Sequence, residues 1–473
     1  MTALPQENQG IKKNLAYAFS AQGVALLSSI LMSLIVPKIL AVEEYAYWQS
    51  FLLYAGYSGC LLVGINDGLY LRIGGQRYGD LDHAGIKAQM VLVLILEFFF
   101  SALLIAFALL ARLSAQFCLI AAALSIYTIV VNLANYLSYV FQAVNLTQIF
   151  SKAAIITKAS FFIMIVAALV LGAGDYRVIV AFYIVSQCFS TVYLLYSGRQ
   201  ILQARFSFSG KNRDVLHATK IDIGAGMKIM ISYYAGTFII GFGRMLIEPN
   251  WDLATFGYYS FAVSLVSFVI SFAGQVSMVL FPHIKRASKE AQKENFAKIR
   301  SILALFLPIA YVLYFPCCIF CEFWLPQYSQ SLIYLGLLFP ICIFDCRMSM
   351  LCVPYFKALR KENKLLIANV VAMCVSVVLS FFSVFLFHNL VLLAVSMLSG
   401  IVTRNLISEF NLARSFGLNL FPHSIRELLL AICFIFVVMI DGGWSYVFGS
   451  IALVVYYFFE CFSLKKTREK GGM

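Results

Sequence analysis

Charged side chains are scarce in this chain. Asp, Glu, Lys and Arg make up 12% of its 473 residues, against about 25% in an ordinary soluble domain. A soluble fold of this size would not cover its surface with so few charges, so the composition excludes that class. Runs of about ten residues that alternate between polar and apolar are also absent, which excludes the strands of a transmembrane β-barrel.

Two other features are missing. The twelve cysteines show no spacing typical of a zinc site or a disulfide framework. The densest group, Cys317, Cys318 and Cys321, lies in an apolar run and is expected to pack as small membrane residues. No cleavable signal peptide is apparent, because the first apolar block is too long for one and no small-residue cleavage site follows it. We expect no metal and no cofactor.

Apolar residues make up 62% of the chain, and the mean hydropathy is +0.87. They form blocks of about 20 residues, the length that a helix needs to cross the hydrocarbon core of a bilayer. The sequence therefore predicts an all-α polytopic membrane protein with about fourteen transmembrane helices. The predicted helices cover residues 14–36, 46–66, 88–111, 117–140, 151–172, 178–198, 227–247, 254–281, 301–322, 331–355, 365–387, 390–413, 425–441 and 444–463.

Basic residues are distributed unevenly between the connections. Alternate connections carry most of them, including a group of six between Lys285 and Arg300. The other connections contain only Lys38, Arg112 and Arg177. By the positive-inside rule the basic side is cytoplasmic, and both termini are predicted to lie on it. The net charge of +13 therefore reflects topology, and we predict no nucleic-acid partner.

The longest polar connection follows the sixth predicted helix and suggests an internal division. We predict an N-terminal six-helix lobe over 1–198, a cytoplasmic linker over 199–226 and a second six-helix lobe over 227–413. Two C-terminal helices and a basic tail occupy 414–473. Paired lobes of this kind are common in secondary transporters, which bind substrate between them.

Polar residues recur at helical spacing inside three of the predicted helices. The seventh helix carries Tyr233, Thr237, Gly241, Arg244 and Glu248 on one face. The eighth helix carries Ser260, Ser264, Ser267, Ser271 and Gln275, and the first carries Gln22, Ser29 and Ser33. Such residues usually face a bundle interior or a watery cavity. The alternatives are close helix packing through the serines and a local pair between Arg244 and Glu248.

Further charged residues fall within predicted helices. They are Glu97, Lys158, Asp345, Arg347, Arg404 and Glu409. Asp345 and Arg347 are too close in sequence to face each other, so one of them is expected to have a partner on another helix. Lys158 and Arg404 lie near enough to the cytoplasmic side to snorkel, whereas Arg347 does not. Because guanidinium binds phosphate oxygens in a bidentate fork, the buried arginines favour an anionic head group.

Five segments resemble bacterial oligosaccharide flippases, the polysaccharide-biosynthesis branch of the multidrug/oligosaccharidyl-lipid/polysaccharide exporter superfamily. They are PKILAVEEYAYW at 37–48, GINDGLYLRIGG at 64–75, GRMLIE with FGYY between 243 and 259, WLPQY at 324–328 and YFKALRK at 355–361. Many relatives have Asp-Arg near the end of the seventh helix, whereas this chain has Gly243 before Arg244. A role for that acid therefore does not transfer.

The resemblance implies two six-helix bundles in a V, with a cleft lined by helices one, two, seven and eight. It implies a flippase that moves an undecaprenyl-pyrophosphate-linked oligosaccharide across the bacterial inner membrane to its outer leaflet. The cargo would be a repeat unit of O-antigen, capsule or exopolysaccharide. Besides this substrate and membrane lipids, the implied partners are a polysaccharide polymerase and chain-length machinery.

These observations lead to a hypothesis of alternating access. Arg244, Arg347 and Arg404 would hold the pyrophosphate and sugar, and the serines and tyrosines would bond sugar hydroxyls. Asp67 and Glu97 are candidates for ion coupling, since a desolvated carboxyl takes up a proton. Alternatives are a drug or cation antiporter of the same superfamily, a membrane glycan polymerase or ligase, and a scaffold without transport. We expect no enzymatic activity, because the outer connections are too short for a catalytic loop.

Overall fold

The computed structural model describes residue 20 and residues 22–204, 212–418, 421–440 and 449–460. These residues form helices, turns and loops and contain no strand. Eleven of the described helices are long and apolar enough to cross a membrane. Large apolar side chains such as Leu110, Val170 and Phe323 are about four-fifths exposed on them, as expected for surfaces that contact lipid. The chain is therefore an all-helical, multi-pass membrane protein.

The chain divides into two compact units, Met1–Tyr234 and Ala235–Met473. The first contains the helices α1 to α8 and the start of α9. Their bounds are α1 Gln22–Ile39, α2 Val42–Ala55, α3 Ile65–Ile73, α4 His83–Leu110, α5 Ala115–Ala143, α6 Thr147–Leu171, α7 Tyr176–Ser197, α8 Arg199–Gln203 and α9 Asn212–Asn250.

The second unit contains the rest of α9 and the helices α10 to α17. Their bounds are α10 Leu253–Arg286, α11 Lys289–Phe306, α12 Ile309–Trp324, α13 Ser331–Ala358, α14 Glu362–Phe385, α15 Leu390–Phe416, α16 Phe421–Met439 and α17 Gly449–Glu460. A π-helical turn, Met348–Cys352, interrupts α13.

Short polar residues and glycines set several helix ends. The Asp82 side chain accepts from the Gly85 amide at the start of α4, and Asn389 accepts from two amides at the start of α15. Gly172 and Gly417 follow α6 and α15 in left-handed conformation, where glycine lacks the steric cost of a Cβ. The C-terminal ends of α6 and α15 lie within three residues of the predicted ones, whereas α9 begins at Asn212, fifteen residues before the predicted start at 227.

The second predicted helix, 46–66, is broken in the structure. It ends at Ala55, continues as a 3₁₀ turn over Ser58–Leu62, and resumes as α3. Val63 and Gly64 both have positive φ, 48° and 81°, which a continuous helix does not allow. The predicted single helix is therefore wrong at this point, because apolar composition does not reveal a backbone reversal.

Each unit has its own apolar core. In the first unit Trp48 and Phe51 are fully buried and stack at 5.9 Å, with Tyr183 packed edge-on against both. In the second unit Phe296 packs edge-on against Tyr355 at 5.1 Å. These cores hold the polar residues of each unit in place.

Candidate transport site

The first half of α9 packs against α3 with almost no side chain between them. A Cβ built on Gly64 would lie 2.6 Å from the Met227 amide nitrogen, and one on Gly68 would overlap the backbone of Asp222. Only glycine permits so close an approach. The contact also carries an ion pair, since the Arg72 guanidinium donates twice to the Asp222 carboxylate at 2.8 Å. All these residues belong to the first unit.

The second unit brings together two of the predicted polar stripes. Arg244 on α9 is 9% exposed, and its Nε donates to the Ser260 hydroxyl on α10 at 3.2 Å. The guanidinium also lies over the Phe256 ring, 5.6 Å from its centre. Arg244 is thus held between a hydroxyl and an aromatic face, an arrangement in which a cation stays charged at low dielectric.

Arg404 on α15 forms an ion pair with Asp345 on α13. Their side chains are 10% and 16% exposed. Gly236 of α9 leaves room for this pair, because a Cβ there would lie 3.1 Å from a guanidinium nitrogen of Arg404. Asp345, one of the two charged residues of α13 discussed above, therefore has its partner on another helix.

Arg347 belongs to a buried cluster of four charges, two arginines and two glutamates. It pairs with Glu427 and lies 3.7 Å from Glu409, while Arg300 lies 3.3 Å from Glu427 and 3.8 Å from Glu409. None of the four side chains is more than 3% exposed. The formal charges cancel, so in this conformation Arg347 is neutralised by protein carboxylates. Its predicted role in binding substrate stays a prediction.

Sequence reasoning missed Arg300 and Glu427 as members of this cluster. Arg300 closes a basic group that was assigned to a cytoplasmic connection, and Glu427 lies two residues inside the predicted helix 425–441. Both positions look interfacial in the sequence. The sequence does contain one signal that Arg300 is buried. Gln292, Phe296 and Arg300 recur at spacings of four, so they lie on one face of α11, and the structure buries that face.

The remaining residues of the stripes occupy different environments. Ser264 is half-buried and Ser267 is exposed, while the Ser271 hydroxyl donates to the Phe268 carbonyl at 2.7 Å. The side chain of Gln275 lies outside the described residues. Tyr233 and Thr237 on α9 are exposed, and Gln22 on α1 is half-buried. Ser29 donates to the Ala25 carbonyl of its own helix at 3.0 Å.

The two carboxyls predicted for ion coupling are both in the first unit. Asp67 on α3 forms a side-chain hydrogen bond with Tyr139. Glu97 on α4 is fully buried, and its Oε1 accepts from the Asn132 amide at 2.9 Å. The Oε2 atom of Glu97 has no hydrogen-bond partner in the described parts of the chain. A carboxyl so placed favours the neutral, protonated form.

Within the described ranges, no three His, Cys, Asp or Glu side chains are grouped closely enough to hold a metal ion.

No protein-family model matches the chain, and no curated protein matches it. Several solved structures are similar to the chain. The chain is similar to the lipid II flippase MurJ in an inward closed conformation, with a TM-score of 0.65 and 13% identity over 96% of this chain and 99% of that one. It is also similar to an inward-facing multidrug resistance MATE family transporter of the MOP superfamily, with a TM-score of 0.53 and 15% identity over 83% and 94%. These likenesses show that the chain has the fold of such transporters.

Proposed function

We propose that the chain is a flippase for an undecaprenyl-pyrophosphate-linked oligosaccharide. It would move one repeat unit of O-antigen, capsule or exopolysaccharide from the cytoplasmic to the outer leaflet of a bacterial inner membrane by alternating access. The observation that carries this proposal is the Arg244 site. A buried guanidinium beside the Ser260 hydroxyl offers a charged fork for phosphate oxygens and a neutral group for a sugar hydroxyl.

The fold supports a lipid-linked cargo. A lipid II flippase has a similar fold over nearly the whole length of this chain. A polyprenyl tail has no need to enter the protein, because hydrocarbon is its preferred solvent, so the protein has to shield only the polar head. We propose that the head group is bound at the Arg244 site and the tail remains in lipid. Asp67 and Glu97 are the proposed coupling groups.

A drug or cation antiporter remains the second candidate, since a multidrug transporter has the same fold. Such a carrier needs carboxylates to attract its cargo. In the second unit Asp345, Glu409 and Glu427 are already paired with arginines. This pairing leaves none of the three carboxylates unbalanced to attract a cation. A drug-sensitivity assay in an efflux-deficient host distinguishes the two candidates, because only the antiporter would raise drug resistance.

Surface polysaccharide in a host deleted for the gene tests the proposal. We expect Arg244→Ala to lower export at least about tenfold, because the charge-assisted bonds to phosphate are lost. Arg244→Lys should be intermediate, since an ammonium keeps the charge without the fork. The matched control is Arg414→Ala, an exposed arginine of the same unit. Full export by Arg244→Ala at normal protein level would refute the role of this site.

A further inference from the structure

The first unit contains a cavity of about 230 Å³ between α1, α5, α6 and α7. Its polar lining includes Lys158, Asn135, Ser138 and Gln187, and Phe161 and Tyr183 contribute aromatic surface. The proposed function leaves this cavity without a role.

Lys158 is the feature of this cavity that requires an explanation. Its side chain is half-buried in the middle of α6, and none of the residues that line the cavity is acidic. No hydrogen bond or ion pair connects its ammonium group to the described part of the chain. A cation in a membrane-spanning segment is costly unless an anion or water compensates it. Lys158 lines the cavity, so a negatively charged group bound there would lie beside its ammonium group and compensate its charge.

The size of the cavity limits that ligand. A single water needs only about 10–15 Å³ of such space, whereas drug-sized ligands occupy pockets of about 300–1,000 Å³. A volume of about 230 Å³ therefore suits one group of the size of a monosaccharide. The rest of an oligosaccharide would lie outside the cavity.

The lining also indicates the chemistry of the ligand. One lysine balances one negative charge, as in a carboxylate, whereas a phosphate monoester or inorganic phosphate carries about 1.5–2 charges at neutral pH. The other polar groups are neutral amides and hydroxyls, which both donate and accept. Sugar hydroxyls also do both. The Asn135 amide has no hydrogen-bond partner in the described ranges, while Gln187 bonds with Tyr183.

We propose that this cavity binds one acidic sugar, a uronate, of the transported oligosaccharide. Its carboxylate pairs with Lys158, and its ring hydroxyls bond to Asn135, Ser138 and Gln187. The inference rests on the proposed function, because the sugar is part of that cargo. The inference adds to the proposed function that the cargo carries a carboxylate and that the first unit contributes a sugar subsite.

Binding to the purified full-length chain in lipid nanodiscs tests this site. The probes are sodium glucuronate, glucose and inorganic phosphate, and ligand-observed NMR titration measures their affinities. We expect glucuronate to bind at least tenfold more tightly than glucose or phosphate. Lys158→Met should weaken glucuronate at least tenfold, and Lys158→Arg should keep most of the affinity. Lys152→Met, which removes an exposed lysine of the same helix, should change nothing.

Several results would overturn the inference. They are equal affinity for glucose, tighter binding of phosphate, no binding of glucuronate, or glucuronate binding that does not depend on Lys158. A gel-filtration profile of Lys158→Met that matches the wild type shows that its loss of affinity is not misfolding.

The failure of this inference is distinguishable from failure of the flippase proposal. Sugar analysis of the polysaccharide that the host exports through this protein gives the second measurement. A glycan without uronic acid, exported only when the gene is present, refutes the acidic-sugar site and leaves the flippase proposal intact. Unchanged export after deletion of the gene refutes the flippase proposal itself.

Discussion

Glu427 accepts hydrogen bonds from both Arg300 and Arg347 inside the second unit. Glu427→Gln removes one of two negative charges and leaves two guanidinium groups facing Glu409 alone. All four side chains are at most 3% exposed, so water does not screen the excess charge. Breaking a buried pair by removing one partner typically costs about 3–5 kcal/mol.

The expected loss of stability is large enough to measure. A change of 1 kcal/mol shifts the Tm of a domain of 150–250 residues by about 2–4 °C. We therefore expect Glu427→Gln to lower the Tm of the purified protein by about 6–20 °C, as followed by tryptophan fluorescence in detergent. Glu294→Gln is the matched control, because Glu294 is exposed on α11. It should change the Tm by no more than a few degrees.

A second substitution isolates the electrostatic cause. Glu427→Gln combined with Arg300→Gln leaves the neutral pair of Arg347 and Glu409, 3.7 Å apart. We expect the double variant to recover a clear part of the lost Tm, because the buried excess charge is gone. The reasoning is refuted if Glu427→Gln is as stable as Glu294→Gln, or if the double variant is no more stable than the single one.

Three other substitutions test separate parts of the molecule. Gly68→Ala forces a Cβ into the α9 backbone and should lower the stability of the fold by about 1–3 kcal/mol. We expect less monodisperse protein in gel filtration. The control is Gly79→Ala, which has open space around it and should behave as wild type. Asp345→Asn leaves Arg404 without its carboxylate and should lower the Tm by about as much as Glu427→Gln; unchanged stability would show that another group balances the arginine. Glu97→Gln replaces a carboxyl that has one unpartnered oxygen with a neutral amide, so the fold should persist while the pH dependence of export disappears; an unaltered pH profile would remove Glu97 from coupling.

The candidate site was only partly predictable from the sequence. Helical spacing placed Arg244 and Ser260 on polar faces of neighbouring helices, and the structure joins them. The same reasoning treated Arg300 as part of a cytoplasmic connection, whereas it is buried against Glu427, 127 positions later. Spacing along one helix identifies a face but contains no information on which distant helix packs there.

The sequence by itself determined the class of the protein and much of its local structure. The apolar blocks are long enough to span a bilayer, where the backbone has no water to bond to. A helix satisfies the backbone hydrogen bonds of such a block within the block itself. Capping residues and glycines then set the helix ends. The tertiary structure decided the break between α2 and α3, the glycine contact of α3 with α9, and the partners of the buried charges Asp222, Arg347 and Arg404. These depend on atoms far apart in the chain, such as Arg72 and Asp222, and a charge in low dielectric is stable only beside the partner that the fold supplies.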